Sequence, residues 1–304
     1  MKSMSTQYTN AFWNAMRGDI SYNPAMDEGK TSDGAYALPP YGEELLAGEL
    51  CKHNIFRQIA SIVHTKNPDG TIKALAPAGM ASFIQEGEPI PESDAAQTAL
   101  DVRSHKIAKI LKISSSCVKD AGFDLPAALA AELGRSFGKT EERACVDGDG
   151  QNEPYGILHP EQGAGTGVRV SAEAGVSFDD ISGLYFSLDA EYRRGGSWLM
   201  SDETAFSLRK VKDSSGNPLW RHNDDTIFGR PVYTSPYMPG IEAGSKPILF
   251  GDFSFYWFVE RGGAAVLAMT EIYSMAGLIG YRASERVDGR LVRRDAVKAL
   301  EMGV

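Results

Sequence analysis

The sequence predicts an α+β protein, and three observations carry that expectation. A four-residue apolar repeat marks one long helix near the middle of the chain. Short apolar runs bounded by Gly, Pro and Asp crowd the last third. The two kinds of segment never alternate as regular βαβ units. The chain has 304 residues, enough for one large domain or two modest ones. With 42% hydrophobic and 23% charged residues its composition is that of a folded protein. The formal net charge of -9 argues against strong general DNA binding, which phosphate neutralisation drives. Weak contact through a local basic patch stays open.

Residues 1–40 look loosely organised. Phe12, Trp13 and Met16 fit one short amphipathic turn ending at Gly18. The Gly-, Pro-, Asp- and Ser-rich run 21–40 builds no core by itself. The aromatics Tyr8, Phe12, Trp13, Tyr22 and Tyr36 favour an arm that orders against a neighbouring subunit over a solvated tail. Residues 41–63 read as helix leading to strand, with Leu45, Leu46, Leu50, Ile55, Ile59 and Ile62 as the apolar positions. The stretch 65–98 is punctuated by Pro and Gly, and a loop of that length is functional or disordered. Its far half is acidic, with Glu86, Glu88, Glu92 and Asp94. Residues 100–114 read as strand and hold a basic cluster of Arg103, His105, Lys106, Lys109 and Lys112, with Lys119 beyond.

Residues 125–144 form the clearest helix. Asp124 is placed to cap it and Pro126 sits in its first turn, where a missing N–H costs little. Leu125, Leu129, Leu133 and Phe137 mark one buried stripe, and Gly148 and Gly150 stop the helix. A second helix spans 178–194, ended by Gly195 and Gly196. A short strand at 198–200 precedes a third helix capped by Ser201. Strand candidates then follow as PVYTS, PILFGD, FYWFVE, AAVLAM and LIGYRA. The longest apolar run, 253–259, is far too short to span a bilayer, and no secretory signal is visible.

Signals for chemistry are weak. Cys51, Cys117 and Cys145 are widely spaced without CxxC and read as reduced thiols. His53, His64, His105, His159 and His222 show no metal-ligand spacing. Asp147, Asp149, Gly150 and Glu153 faintly resemble a calcium loop but lack its ligand series and distal Glu, so a helix-ending turn is preferred. GxSxG, HExxH and P-loop patterns are absent from the sequence. No catalytic, cofactor-binding or metal residue is therefore assigned. The basic cluster reads as a solvated strand face, a DNA-facing patch, or a receptor for the acidic loop tip of a neighbour. The last is carried forward, because opposite patches fix register in assembly. Glu86, Glu88, Glu92, Asp94, Arg103, Lys106, Lys109, Lys112, Phe12 and Trp13 are the expected inter-subunit contacts.

Nine segments, in order, are TNAFWNAMRG, DGAYALPP, FIQEGEPIPES, KIAKILKISSSCVKDAGFDLPAALAAEL, EERACVDGDGQNEPYGILHP, GSWLMSDETAFSLRKVKDSSGNPLW, FGRPVYTSPYMP, ILFGDFSFYWFVERGG and RVDGRLVRRDAVKAL. In this series the chain resembles the major capsid proteins of tailed bacteriophages, whose fold is shared with encapsulins and herpesvirus shell proteins. The resemblance implies an N-terminal arm (1–45) and an extended loop (66–98). It implies a peripheral domain (46–65, 99–154 and 262–290) around a spine helix at about 125–146, and an axial domain (155–261 and 291–304). It further implies a non-enzymatic, cofactor-free subunit that assembles with itself into pentamers and hexamers of a virion head. The implied partners are a portal, separate scaffolding or decoration proteins and weakly held double-stranded DNA, with assembly in the host cytoplasm and no membrane. Relatives often begin with a cleavable scaffolding segment; Met1 lies almost where the shell domain should start, so scaffolding is separate or the chain is a processed form. Lys66 and Lys73, placed where some families crosslink subunits, read as ordinary surface lysines. The alternatives are an encapsulin-like nanocompartment and, with only scattered carboxylates behind it, a soluble α+β hydrolase.

Overall fold

The computed structural model describes residues 4–18, 23–65, 70–75, 97–120, 122–171, 175–211, 220 and 225–303. In chain order the elements begin with α1 (Thr6–Met16), β1 (Tyr36–Ala37), α2 (Pro40–His53), α3 (Phe56–Ile59), β2 (Ser61–Thr65), β3 (Gly70–Leu75), β4 (Gln97–Val102), β5 (His105–Ser114), α4 (Ser115–Lys119) and α5 (Leu125–Asp147). They continue with β6 (Gly165–Val170), α6 (Phe178–Ser187), α7 (Ala190–Arg193), β7 (Ser197–Met200), α8 (Asp202–Arg209), β8 (Thr226–Ile227) and β9 (Arg230–Thr234). The last are β10 (Ile248–Gly251), β11 (Tyr256–Arg261), β12 (Ala265–Met269), β13 (Leu278–Leu291) and β14 (Val297–Met302). Helices and sheets are mixed without βαβ alternation, as expected for α+β.

The 14-residue strand β13 organises the first sheet. One edge takes β5 from Leu278 to Val287, and β12 and then β11 also run antiparallel to it. β1 and β2 extend the sheet outward. The second sheet runs β6-β14-β10-β7-β9-β8, and β3 with β4 makes a separate ribbon inside the stretch expected to be loop. The segment 256–261, expected in the axial unit, pairs instead with β13 and β2 in the first sheet. No local pattern marks that pairing, because Trp257 and Ser61 are register partners almost two hundred residues apart in sequence.

Helix α5 lies across the first sheet. Asp124 accepts from the Ala127 N–H, as its sequence position requires. The stripe Leu125, Leu129, Leu133 and Phe137 is buried against α2, α1 and the sheet. Gly134 and Gly138 let α2 approach closely, since added Cβ atoms would sit 2.4 Å from Cβ of Glu49 and 3.0 Å from Cβ of His53. The second expected helix is two pieces: α6 ends at Ser187, and Asp189 starts α7 by accepting from the Glu191 N–H. Leu188 between them is extended and buried in a core, which breaks the run.

Three apolar cores result. The first joins α1, α2, most of α5, β12 and the front half of β13. The second joins the end of α5, β11 and the back half of β13 to one face of the second sheet, through Leu199, Leu249 and Ala299. The third covers the opposite face of that sheet, where Trp198, Met200, Ile248, Phe250, Leu300 and Met302 pack on α6 and α8. Strand alternation thus places successive residues of β7, β10 and β14 in different cores.

The long helix ends against the chain segment that returns at 154–158. Gly156, Ile157 and Leu158 donate their N–H groups to the carbonyls of Gly148, Cys145 and Val146 at 2.9, 2.7 and 3.0 Å. Carbonyls that a helix C-terminus leaves open are thereby paired. The acidic GDG run expected to turn the backbone holds Gly150 at φ +71, and Asp149 caps the turn by accepting from Gln151 N–H.

Candidate assembly surfaces

The basic cluster divides between two faces of β5. Lys106, Ala108, Ile110 and Lys112 are exposed on one face, while Ile107, Lys109, Leu111 and Ile113 turn toward α5. Lys109 Nζ meets Glu132 of α5 at 2.9 Å. Lys106 pairs with Asp33 at 2.5 Å, and Arg282 and Arg286 of β13 approach the same residue. The hydrogen bond from Lys106, then its charge, hold the Asp33 carboxyl below the usual carboxylate range. Lys112 lies over the Tyr273 ring at 4.6 Å. Arg103 donates its backbone N–H to Asp288 at 2.7 Å. The four cations expected to form one docking patch are therefore split, and Lys106, Lys109 and Lys112 each have a partner in their own chain. Glu86, Glu88, Glu92, Asp94 and Lys66 lie outside the described residues.

Phe12 requires a correction. The expectation placed it at a subunit contact, but it is fully buried in the first core of its own chain. Ser5 caps α1, and Tyr8, Phe12 and Met16 recur at helical spacing on one face. Tyr8 donates its hydroxyl to Ala37 O, Tyr281 donates to Met16 O at 2.8 Å, and Arg17 donates to Val118 O and Phe123 O. Trp13 is half-buried and packs edge-on against Phe12 at 4.9 Å. The helix of the supposed arm is an integral layer of the subunit, because its aromatics spend their burial on this chain.

Other surfaces carry exposed apolar side chains. Ile272 and Met275 stand out at the hairpin between β12 and β13. Around the third core Phe186, Phe206 and Phe228 are exposed, with Phe186 and Phe228 both ringed around Tyr185 at 5.2 and 5.1 Å. Phe228 adopts φ +53, an uncommon backbone state for a bulky residue. None of these was picked out from sequence, since exposure is set by tertiary packing.

A buried polar level separates the first and second cores. Arg57 of α3 makes a two-pronged contact with Glu141 of α5, Nε at 2.6 Å and Nη2 at 2.7 Å, and its third nitrogen reaches Glu260 of β11. Burial alone would lower the Arg57 pKa; the hydrogen bond and charge of Glu141, with Glu260 and Glu285, more than offset it and hold the guanidinium charged. Asn54 donates to Glu141 at 2.9 Å. Next along the helix, Glu142 accepts from Ile55 N–H and from the Ser235 hydroxyl, tying α3 and the second unit to one carboxylate. Burial pushes the Glu142 carboxyl up. Sequence could have flagged Glu141, because it continues the stripe of 125, 129, 133 and 137 with a charge.

Among the described residues no group of three or more His, Cys, Asp or Glu could hold a metal ion. A cavity of only about 10 Å³ between α6 and α8 is lined by Phe178, Ile181, Leu208, Val211, Trp220 and Ile227, all apolar. Burial pushes the Cys145 thiol up, which keeps it out of nucleophilic chemistry.

The sequence pattern of the Phage capsid family matches residues 34–302. The chain belongs to the phage capsid family. Among solved structures, the capsid of an empty GTA particle computed with C5 symmetry is 28% identical with a TM-score of 0.70, covering 83% of this chain and 90% of that one. The capsid of a native GTA particle, also computed with C5 symmetry, is 26% identical with a TM-score of 0.68 and covers 95% and 98%. The protein of Microbacterium phage Oxtober96, at 16% identity and a TM-score of 0.58 over 82% and 90%, shares the fold. No curated protein matches. The family and fold are those of structural proteins, and the phage capsid fold expected from the nine segments is the one observed.

Proposed function

We propose that the chain is a major capsid subunit that assembles with itself into the pentamers and hexamers of an icosahedral phage or prophage head enclosing double-stranded DNA. The family match over 34–302, joined to its likeness to capsids computed with C5 symmetry, carries this reading. Two kinds of surface support it. The Ile272–Met275 hairpin and the Phe186, Phe206 and Phe228 sites leave apolar area that contacts between copies would cover. Head-to-tail contacts of unlike patches close into rings when the rotation closes. The net charge of -9 and the Lys106–Asp33 pairing suit a lining that holds DNA weakly. On this reading the acidic tip at Glu86, Glu88, Glu92 and Asp94 meets Lys106, Lys112 and Arg103 of a neighbour, the subunit catalyses nothing, and portal and scaffolding proteins join it in the host cytoplasm.

Electron microscopy of the purified full-length protein expressed alone is the test. Closed shells, tubes or rings are expected. Dispersed monomers at working concentration would overturn the reading, and native particles filled with enzyme instead of nucleic acid would turn it into a nanocompartment. Charge reversal at Glu86 and Glu88 is expected to lower the particle yield; an unchanged yield removes the loop-to-strand contact.

A further inference from the structure

The polar level between the two cores is marked on three elements at once. On α5 the buried stripe runs Leu125, Leu129, Leu133, Phe137, then Glu141, then Cys145. On the core face of β13 it runs Ile279, Tyr281, Ala283, then Glu285, then Val287 and Leu291. The strand facing β13 breaks at the same height. Between the pairs Glu260–Val287 and Ala265–Ser284, β13 has only Glu285 and Arg286, while the facing strand has residues 261–264. That bulge contains Gly262 and Gly263 at φ +72 and +74, a conformation that suits glycine and weakens the ladder locally. The ladder on the β11–β12 side of β13 is thus interrupted at the level of the buried polar groups, while the β5 ladder on its other side runs on through it.

At that height the guanidinium of Arg57 pairs with the carboxylates of Glu141 and Glu260, and the buried carboxyl of Glu285 lies within electrostatic reach of all three. Glu285 Oε1 is buried and has no hydrogen-bond partner among the described residues. The remaining neighbours offer it no cation. β5 presents Ile107 as its register partner, and the bulge presents Ala264 and Ala265. Beyond Glu260, β2 contributes His64 at 3.0 Å, mostly in solvent, and α2 contributes Glu43, another negative group. Loss of water by burial, then the charge of Glu141, keep the Glu285 carboxyl protonated well above the usual range.

We propose that this cluster is a proton-locked joint between the first and second cores: it is closed while one proton is held between Glu285 and Glu141, and opens when a base in solution removes that proton. Closed, Arg57 balances Glu141 and Glu260, and Glu285 donates to Glu141. Open, three carboxylates share one buried cation, and their repulsion acts on α3, α5, β11 and β13 together. The glycine bulge lets the two halves of the sheet respond by rotation instead of by unfolding. The joint works within one subunit and stands whether or not the shell reading does.

Urea unfolding of the full-length protein at about pH 6, 7, 8 and 9 reads the proton, and hydrogen exchange at about pH 9 reads the joint. Where the folded state still holds the proton and the unfolded chain has lost it, the wild-type unfolding constant is expected to rise about tenfold per pH unit, the signature of one linked proton, and to level off once the folded state releases it. Glu285→Gln keeps the shape and cannot ionise, so it should flatten that rise, whereas Glu142→Gln and Asp288→Asn should leave it in place. At the alkaline end the wild type should exchange faster than Glu285→Gln at α3, residues 138–146 and β11, with equal exchange at β7. A Glu285→Gln slope equal to wild type, or a uniform change in exchange over the chain, overturns the proposal. If Glu285→Gln does not fold, the wild type decides alone: stability that is flat or rising over this pH range overturns it as well.

Discussion

Replacing Gly148 by Ala tests how the long helix is terminated. The Gly148 backbone, at φ -68 and ψ 142, is open to any residue, so conformational preference is no obstacle. Space is the obstacle. A Cβ would lie 2.0 Å from Pro154 O and 2.5 Å from Ala144 O. Carbon and oxygen approach no closer than about 3.3 Å without strain, so the returning segment 154–158 must retreat by about 1 Å. That withdraws the N–H groups of Gly156, Ile157 and Leu158 from the carbonyls of Gly148, Cys145 and Val146. Three hydrogen bonds at about 1 kcal/mol net each, and up to about 2 kcal/mol where a buried carbonyl is orphaned, give a loss of about 3–6 kcal/mol. Such a loss is a large share of the roughly 5–15 kcal/mol that holds a domain together. The control is Gly48→Ala, the same substitution on the exposed side of α2 with nothing within 4 Å of the new Cβ. It should gain about 0.5–1 kcal/mol, because glycine is a poor helix former. Urea unfolding followed by circular dichroism measures both. A Gly148→Ala protein within about 0.5 kcal/mol of wild type would refute the packing argument.

Arg57→Ala should cost about 3–5 kcal/mol in the same assay, because it strands Glu141 and Glu260 without their cation; Arg57→Met with Glu141→Leu and Glu285→Leu together should come close to neutral. Burial raises the carboxyl pKa values of Glu43, Glu142 and Asp288, so the folded state holds their protons more tightly than the unfolded one. Stability is therefore expected to fall as pH rises from the ordinary carboxylate pKa through these raised values, read as declining urea midpoints from about pH 4 upward. The exposed carboxyls of Asp33, Glu49 and Glu132, lowered by their lysine partners, act with the opposite sign but are screened by solvent. Tyr281→Phe removes the bond to Met16 O and should cost about 1 kcal/mol, seen as faster hydrogen exchange in α1. Phe186→Ser with Phe228→Ser should reduce particle yield while leaving the subunit melting temperature unchanged; equal yields would exclude that surface from assembly.

Sequence patterns told most where the structure is local. The stripe at 125, 129, 133 and 137, the Asp124 cap and the Ser201 cap were all legible, since each is decided within a turn of helix. Phe12 was misplaced although its signal was present: Tyr8, Phe12 and Met16 stand four apart, the spacing of a buried helix face. The back half of β13 was missed because Ser284, Glu285 and Asp288 are polar residues at buried strand positions. The parallel pairs β2 with β11 and β6 with β14 leave no local trace, as partners found only after distant segments meet. The exposed apolar surfaces were illegible for the complementary reason: a Phe at 186 or 206 looks like core until the neighbours that fail to cover it are known.

The place of β14 in the second sheet has a consequence for when the second and third cores close. This strand, which follows all the other described strands in the sequence, lies between β6 and β10 and supplies residues to both the second and the third core. Until Val297–Met302 leave the ribosome, β6 has no partner in the sheet and Leu249 and Phe250 stand uncovered on that side. A nascent chain on a polysome, however crowded by its siblings, therefore lacks the completed second unit. The second and third cores therefore close only when β14 is in place.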